Sequence, residues 1–431
     1  MKSSESCYLH LDGEIPTDLP NGAFISLKRN TPLKIHSLGF QPAKSIPEIP
    51  RWFLKKYGSS PFTVLEPFAG SGTTLIESII YGASVYWLDY QPLSRLICQV
   101  KTTKFDWIEL KEKALQILQK AKKKYAPQTI KFKNKDFWFQ KPVQEALEIL
   151  REEILTVAAT IQPPLWLAFS LTVRKASDMN DGMILAAKRS HVEAIPKRSR
   201  EDVFKYFYNY VEKTIAAIGE WQNLIKNKIT SQELTAKSAT KINESFVCDA
   251  VITSPPYINA IDYVWASKFE LHWLGMVKDD KDRLNLYEQE IGTERIPKQE
   301  WQELGSTGNK KLDELIEDIY TGKKYQASQG QNQLRARVVF KYFLDMKQHF
   351  ASSFSRLKPG GYYCFAIGDV SKICGVDIPV ASLLSELATE IGFCQKFHFH
   401  LLLKNRRLNI PRNVNWASII KHDTVVVLEK K

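Results

Sequence analysis

Five consecutive residues, Thr253-Ser254-Pro255-Pro256-Tyr257, hold the densest chemistry in the chain. They follow the apolar run Ala250-Val251-Ile252, which reads as a buried strand. Each proline fixes φ and lacks an N–H, so neither helix nor sheet continues through them. The strand therefore ends on a hydroxyl, a run of backbone carbonyls and an aromatic ring. In open α/β sheets ligands bind at that edge. Acceptors beside a ring suit methylation of an exocyclic amine on a flipped-out base: carbonyl and hydroxyl take the amine protons, and the ring stacks on the base. Taken alone, the element reads equally well as a packed proline turn; Pro163-Pro164 is another proline pair.

A second cluster is Phe68-Ala69-Gly70-Ser71-Gly72-Thr73-Thr74. The apolar strand Phe62-Thr63-Val64-Leu65, ending at Glu66-Pro67, precedes it. An apolar helix predicted to reach about Tyr81 and to stop at Gly82 follows. Gly70 and Gly72 let the backbone approach a ligand, and the helix N-terminus is expected to offer free N–H groups. A short strand from Ser84 to Leu88 then ends on Asp89. That acid follows Gly70 at about the 20-residue spacing at which a carboxylate meets a ribose hydroxyl. No lysine follows the loop, and the third glycine of a dinucleotide fingerprint is missing. Strand, glycine loop, helix, strand and acid predict a nucleoside-cofactor site on half of a doubly wound α/β fold. A nicotinamide-dependent oxidoreductase would share the glycine loop, and a silent DNA-binding module would share the charge; the Ser-Pro-Pro-Tyr element argues against both.

Together, Phe68-Ala69-Gly70-Ser71-Gly72-Thr73 and Thr253-Ser254-Pro255-Pro256-Tyr257 resemble the amino-group DNA methyltransferases, especially the N4-cytosine kind. N6-adenine members more often carry Asp or Asn before the two prolines. The segment from His36 to Lys44, including Phe40-Gln41-Pro42-Ala43-Lys44, is similar to the family's cover over the methionine part of the cofactor. Asn259-Ala260-Ile261-Asp262-Tyr263, Lys358-Pro359-Gly360-Gly361 and the stretch from Lys404 to Arg412 also lie where the family has recognisable elements. Asp136-Phe137-Trp138-Phe139 and the stretch from Arg174 to Asn180 look like parts of related enzymes.

The resemblance implies a Rossmann-like class I methyltransferase sheet, doubly wound, with a largely helical insertion. It implies S-adenosyl-L-methionine as cofactor, held by Phe40, Pro42, Lys44, Glu66, Phe68, Ala69, Gly70, Ser71, Gly72, Thr73, Asp89 and Thr253. Ser254, Pro255, Pro256 and Tyr257 would be catalytic, with no metal. The implied reaction is methylation of the N4 amine of cytosine in double-stranded DNA, with N6-adenine or an RNA base as alternatives. A role in restriction–modification, beside a cognate restriction endonuclease in a prokaryotic cytoplasm, is implied by the resemblance only. Two departures stand out. Where the family often has a Gly-Asp-Ala-like contact to adenine, this chain reads Lys237-Ser238-Ala239, and His422 stands where an acid is common.

Composition sets the outer limits. Lys and Arg number 60 against 47 Asp and Glu, a net charge of +13, which suggests a polyanionic partner. No apolar run reaches the roughly 18 residues of a membrane span, and the start Met1-Lys2-Ser3-Ser4-Glu5-Ser6 is polar. The six cysteines form no Cys-x-x-Cys pair, against a zinc ribbon and in keeping with reduced thiols in a cytosol. None follows a proline, unlike the nucleophile loop of cytosine-C5 enzymes.

The cofactor-binding half is expected over 1–105, with 1–30 irregular. A helical insertion covers 106–245 and the catalytic half 246–431, interrupted at about 277–335 by a polar stretch expected to be a mobile loop or a small insertion rather than core. In the family that the chain resembles, members with the cofactor loop first carry target recognition either between the two motifs or after the catalytic one, which makes both 106–245 and 277–335 candidates. Three basic clusters stand out. Lys120, Lys122, Lys123 and Lys124 read as a solvated helix face. Lys188, Arg189, Lys197, Arg198 and Arg200 read either way. Lys404, Arg406, Arg407 and Arg412 are the candidate phosphate contacts. Trp138, Trp265 and Trp273 are expected in the core.

Overall fold

The computed structural model describes residues 8–180, 183–188, 194–225, 230–258, 261–328, 330–403 and 420–431. Its strands are β1 (Leu9–Gly13), β2 (Ala23–Arg29), β3 (Thr63–Glu66), β4 (Ser84–Trp87), β5 (Ser231–Glu233), β6 (Cys248–Thr253), β7 (Leu357–Gly368), β8 (Val370–Ile373), β9 (Val376–Pro379), β10 (Phe393–Leu402) and β11 (His422–Lys430). Nine form one sheet in the order β1-β2-β10-β11-β7-β6-β3-β4-β5, and β8 and β9 form a separate hairpin. From β7 to β5 all neighbours are parallel. β11 runs antiparallel to both β7 and β10. This mostly parallel sheet, wrapped in helices, is a Rossmann-like α/β methyltransferase architecture.

Strand residues alternate between the two faces, as a period of two requires. Val251, Tyr363, Phe365, Val426 and Leu428 pack on one face beneath Phe343 and Phe350 of the helix Gln331–Arg356 and Leu384 of the helix Val380–Ile391. Ala250, Ile252, Cys364, Ala366, Val425 and Val427 face the other way. They meet Trp52 and Phe53 of the helix Glu48–Tyr57. Each large apolar side chain buried here contributes about 1.5–3 kcal/mol. The sheet is covered on both faces, so its strands read as nearly continuous apolar runs.

The helices Trp107–Lys123, Lys141–Leu155, Gln162–Ala176 and Arg200–Leu224 enclose a separate apolar core around Leu147, Phe169 and Phe207. Leu167 and Trp221 join this layer to Ile97 and Val100 of the helix Pro92–Thr102. Pro163-Pro164 begins a helix here, because a proline's missing N–H costs nothing in the first turn.

Three expectations need correction. Residues 8–30 are not irregular: β1 and β2 extend the sheet edge, with Ile25, Ser26 and Leu27 of β2 buried and Lys28 and Arg29 exposed at its end. The 277–335 segment is not merely a loop. Its helix Lys310–Tyr320 buries Leu312, Ile316 and Ile319 against the sheet-covering helix Gln331–Arg356, the helical spacing of apolar residues having been masked by the surrounding charge. Trp265 is only half-buried, whereas Trp138 and Trp273 are in the core.

Candidate functional site

β3 sends its chain through the helix Thr73–Tyr81 to β4 on one side, while β6 lies on its other side. Strand order reverses here, at the position where open α/β sheets form a crevice beyond their C-terminal strand ends. An open cleft of about 1300 Å³, counting the space at its mouth, occupies this crevice. Glu66, Phe68, Ala69, Gly70, Ser71, Thr73 and Asp89 line it from the β3–β4 side. Ser254, Pro255, Pro256 and Tyr257 line it from the β6 side. Two loops more than 180 residues apart in sequence thus share one cavity, because Val64 and Leu65 pair with Ala250 and Val251.

The glycine loop is held from within. The Asp89 carboxylate accepts the N–H of Gly70 (2.8 Å) on one oxygen and that of Gln91 (2.8 Å) on the other. Glu66 accepts the N–H of Phe68 at 2.9 Å, the Leu88 carbonyl that of Ala69, and the Ala69 carbonyl that of Gly72. The wholly buried Lys101 donates to the Ser71 carbonyl at 2.8 Å. Gly70 and Gly72 have φ of 49° and 73°, in the left-handed region that favours glycine. Four N–H donors of the loop, those of Phe68, Ala69, Gly70 and Gly72, are thus satisfied within the protein, while the helix that follows begins with no side-chain cap on its first N–H groups. What faces the cleft from this side is carboxylate. Burial raises Glu66 to about 7 and Asp89 to about 6, partly offset by the N–H and hydroxyl donors they accept.

The Ser-Pro-Pro-Tyr loop has the reverse construction. The Ser254 hydroxyl donates to the Ala366 carbonyl on β7 at 3.1 Å, which leaves its lone pairs toward the cleft. Tyr342, in the helix Gln331–Arg356, donates to the Pro256 carbonyl at 3.1 Å. Tyr257 donates to Asp423 on β11 at 2.6 Å, which fixes the ring. A Cβ at Gly368 would approach this ring to 3.3 Å, so glycine there leaves room for it. Thr253 does not line the cleft. It is buried, and its hydroxyl donates to Glu66, tying the two strand ends together.

Of the residues from the 36–44 segment, Lys44 lines the cleft, as do its neighbours Gln41 and Ala43. The Lys44 ammonium is directed at backbone, donating to the Gly39 carbonyl at 3.0 Å. Phe40 and Pro42 lie outside the lining; Phe40 stacks under the Arg174 guanidinium, 3.4 Å from its ring centroid. Gly72 likewise lies behind the cleft wall, as the cap of the helix that follows. Lys404, Arg406, Arg407 and Arg412 fall outside the described residues. In the second basic cluster, Arg198 is buried on Asp178 (3.2 Å), and Arg200 pairs with Glu145 (3.0 Å) and the Lys124 carbonyl (2.8 Å). These two arginines hold the helical layer together.

Sequence reasoning passed over Glu290. It comes from the polar segment at 277–335, lines the cleft, is 5% exposed and accepts the Tyr90 hydroxyl at 2.7 Å. Burial lifts it to about 7. Only tertiary structure brings it here; its neighbours in sequence are charged and unremarkable. Asp423, which sequence reasoning also passed over, directly follows His422, the position where an acid is common in the resembled family. Ala239, from the Lys237-Ser238-Ala239 departure, does line the cleft, and Ser238 lies within 2.9 Å of the Thr240 hydroxyl. Among the described residues no cluster of His, Cys, Asp or Glu could hold a metal ion.

This fold and cleft define an α/β protein of the methyltransferase architecture with a nucleoside-sized crevice at its switch point. No family model matches the chain. It is 23% identical over 419 residues to the Type II methyltransferase M.MvaI of Kocuria varians, covering 90% of this chain and 88% of the relative. It is 24% identical over 437 residues to the Type II methyltransferase M.BsoBI of Geobacillus stearothermophilus, covering 90% and 84%. The Type II methyltransferase M.AvaI of Anabaena variabilis is 26% identical over 407 residues, covering 83% and 81%. The chain is thus related to Type II methyltransferases along most of its length.

Proposed function

We propose that this chain is a DNA methyltransferase that transfers a methyl group from S-adenosyl-L-methionine to the N4 amine of cytosine in double-stranded DNA, within a restriction–modification system. The observation that carries this reading is a single cleft lined on both sides by acceptors. Four N–H donors of the glycine loop are engaged by Asp89, Glu66 and neighbouring carbonyls. The acceptor-lined Ser-Pro-Pro-Tyr loop across the same cleft has no counterpart in the needs of a nicotinamide dinucleotide. Three desolvated carboxylates, Glu66, Asp89 and Glu290, instead suit a cationic nucleoside. S-adenosyl-L-methionine fits this set and, when bound, supplies an electrophilic methyl group on a sulfonium. Glu66, Phe68, Ala69, Gly70, Ser71, Thr73 and Asp89 would hold it, with Lys44 at the cleft margin.

The chain's own residues account for the rest. An exocyclic amine is a poor nucleophile because its lone pair is delocalised into the ring. Ser254 Oγ, whose own proton is engaged by Ala366, and the Pro255 carbonyl accept the two amine hydrogens. Doing so draws the nitrogen toward tetrahedral geometry and stabilises the charge it develops. Tyr257, held by Asp423, stacks on the flipped base, worth roughly 1–3 kcal/mol by analogy with other base–aromatic contacts, against a flipping cost of a few kcal/mol. Serine before Pro-Pro favours cytosine N4; adenine N6 is the second reading, since nearly the same acceptors would serve it. Phe40, Pro42, Gly72 and Thr253 then act from behind the cleft wall, and Lys404, Arg406, Arg407 and Arg412 as phosphate contacts.

The test is transfer of a tritiated methyl group from the cofactor to duplex DNA or to RNA, followed by mass spectrometry of the nucleosides. N4-methylcytosine is expected from DNA. N6-methyladenine would move the assignment to the second reading, label confined to RNA would move it to an RNA base, and no transfer to either would end it.

A further inference from the structure

Three positively charged side chains lie along a continuous row of rings outside the cleft. Lys188 Nζ lies 3.9 Å from the centroid of Phe137, whose ring is 4.9 Å from that of Trp138. Lys268 Nζ sits between Trp138 (4.2 Å) and Trp265 (3.6 Å). The Arg283 guanidinium lies 5.4 Å from the Trp265 centroid. The row joins segments that are distant in sequence: two residues of Asp136-Phe137-Trp138-Phe139, the loop at Lys188, the helices following Tyr263, and the polar insertion.

Lys268 is the unusual member. It is 8% exposed, and among the described residues no carboxylate lies within ion-pair distance of its ammonium. Ring faces cradle it, a cation–π arrangement that orients a charge without neutralising it, and the charges of Arg283 and Asp280 act on it only through space. Burial lowers it to about 8, so at neutral pH it remains mostly protonated. Arg283 is partly neutralised by Asp280 (3.1 Å), and Lys188 donates to the Phe137 carbonyl at 2.8 Å. With two cations over its ring, Trp265 is poorly placed to stack on a base. The row therefore offers charge, held in place by stiff aromatic supports.

The row also sits near the site. Trp265 lies in the short helix Tyr263–Ala266, whose Tyr263 lines the cleft and whose N-cap is Asp262. A strand whose base enters the cleft must carry its flanking phosphates across the neighbouring surface.

We propose that this row is a contact surface for the phosphate backbone of duplex DNA, with Lys268 as its anchor. The proposal rests on the reading of DNA as substrate given above. It assigns backbone positioning, which carries no sequence preference, to elements of both insertions.

The test is duplex binding by fluorescence anisotropy across roughly 50–200 mM salt. Lys268→Met keeps the apolar stem between the two tryptophans and removes the charge. Lys188→Ala, at a more exposed position, serves if the first variant folds poorly. Each lost phosphate contact lowers the magnitude of the log K against log salt slope by about 0.9, and the double variant lowers it by roughly twice that. The loss is expected to be the same for unrelated duplexes, with cofactor affinity unchanged. Wild-type slopes in both variants would overturn the row. A wild-type protein whose own binding ignores salt would remove the DNA reading itself, which is a separate result.

Discussion

The glycine loop and the Ser-Pro-Pro-Tyr loop leave neighbouring parallel strands at the same edge of the sheet, yet they are built in opposite ways. The first turns four N–H donors, those of Phe68, Ala69, Gly70 and Gly72, inward onto Glu66, Asp89 and nearby carbonyls. The second has two prolines with no donors at all, and its hydroxyls tie it down through Ala366 and Asp423. Both routes leave acceptors facing the cleft. A strand end of this kind commonly binds phosphate through free N–H groups. Here buried carboxylates stand on one side of that position and donor-free prolines on the other, which is the arrangement that the proposed reaction uses.

This comparison can be broken or sharpened by substitution. Ser254→Ala should give the largest effect. It removes an acceptor used by the reacting amine, and a fall in turnover of about 100-fold is expected, comparable to losing one preorganised transition-state hydrogen bond. Calorimetry should find cofactor affinity unchanged, and a parallel loss of affinity would erase the division between the two loops. Tyr257→Ala should slow turnover by about 1–3 kcal/mol of lost stacking, again sparing the cofactor. Tyr257→Phe retains the ring and loses the Asp423 hydrogen bond, at about 1 kcal/mol.

Asp89→Ala acts on the other loop. Cofactor dissociation should rise tenfold or more, about 1.4 kcal/mol. The melting temperature should also drop, because the N–H groups of Gly70 and Gln91 lose their acceptor. An unchanged dissociation constant in calorimetry would confine Asp89 to holding the loop.

The smallest and sharpest test is Glu66→Gln. Burial raises this carboxyl from 4.5 to about 7 in the folded chain. A raised folded value means that Glu66's contribution to stability is fully present below about pH 4.5 and is lost as pH rises through about 7. Glutamine keeps the oxygen that accepts from Thr253 and Phe68 and cannot ionise. The variant should therefore melt a few degrees above wild type at pH 8 and close to it at pH 4, while binding the cationic cofactor more weakly at pH 8. Equal melting curves at both pH values would mean that Glu66 carries no desolvated charge.

The sequence was sufficient for the sites where local geometry is dictated by residue type. Gly70, Gly72 and the two prolines force turns at strand ends, and turns at strand ends are where α/β sheets bind ligands. The central strands β3, β4 and β6 were also readable as short, largely apolar runs, because the middle of the sheet is covered on both faces. The tertiary structure decided what periodicity and spacing cannot encode. It brought Glu290 to the cleft from a segment that reads as polar loop, directed the glycine loop's donors inward, and set Asp423 against Tyr257. It also placed Lys268 between two tryptophans that are far apart in sequence. Backbone preference is a local property of a few residues. Which charge is desolvated, and beside what, depends on segments that meet only when the sheet and its covering helices have closed around them.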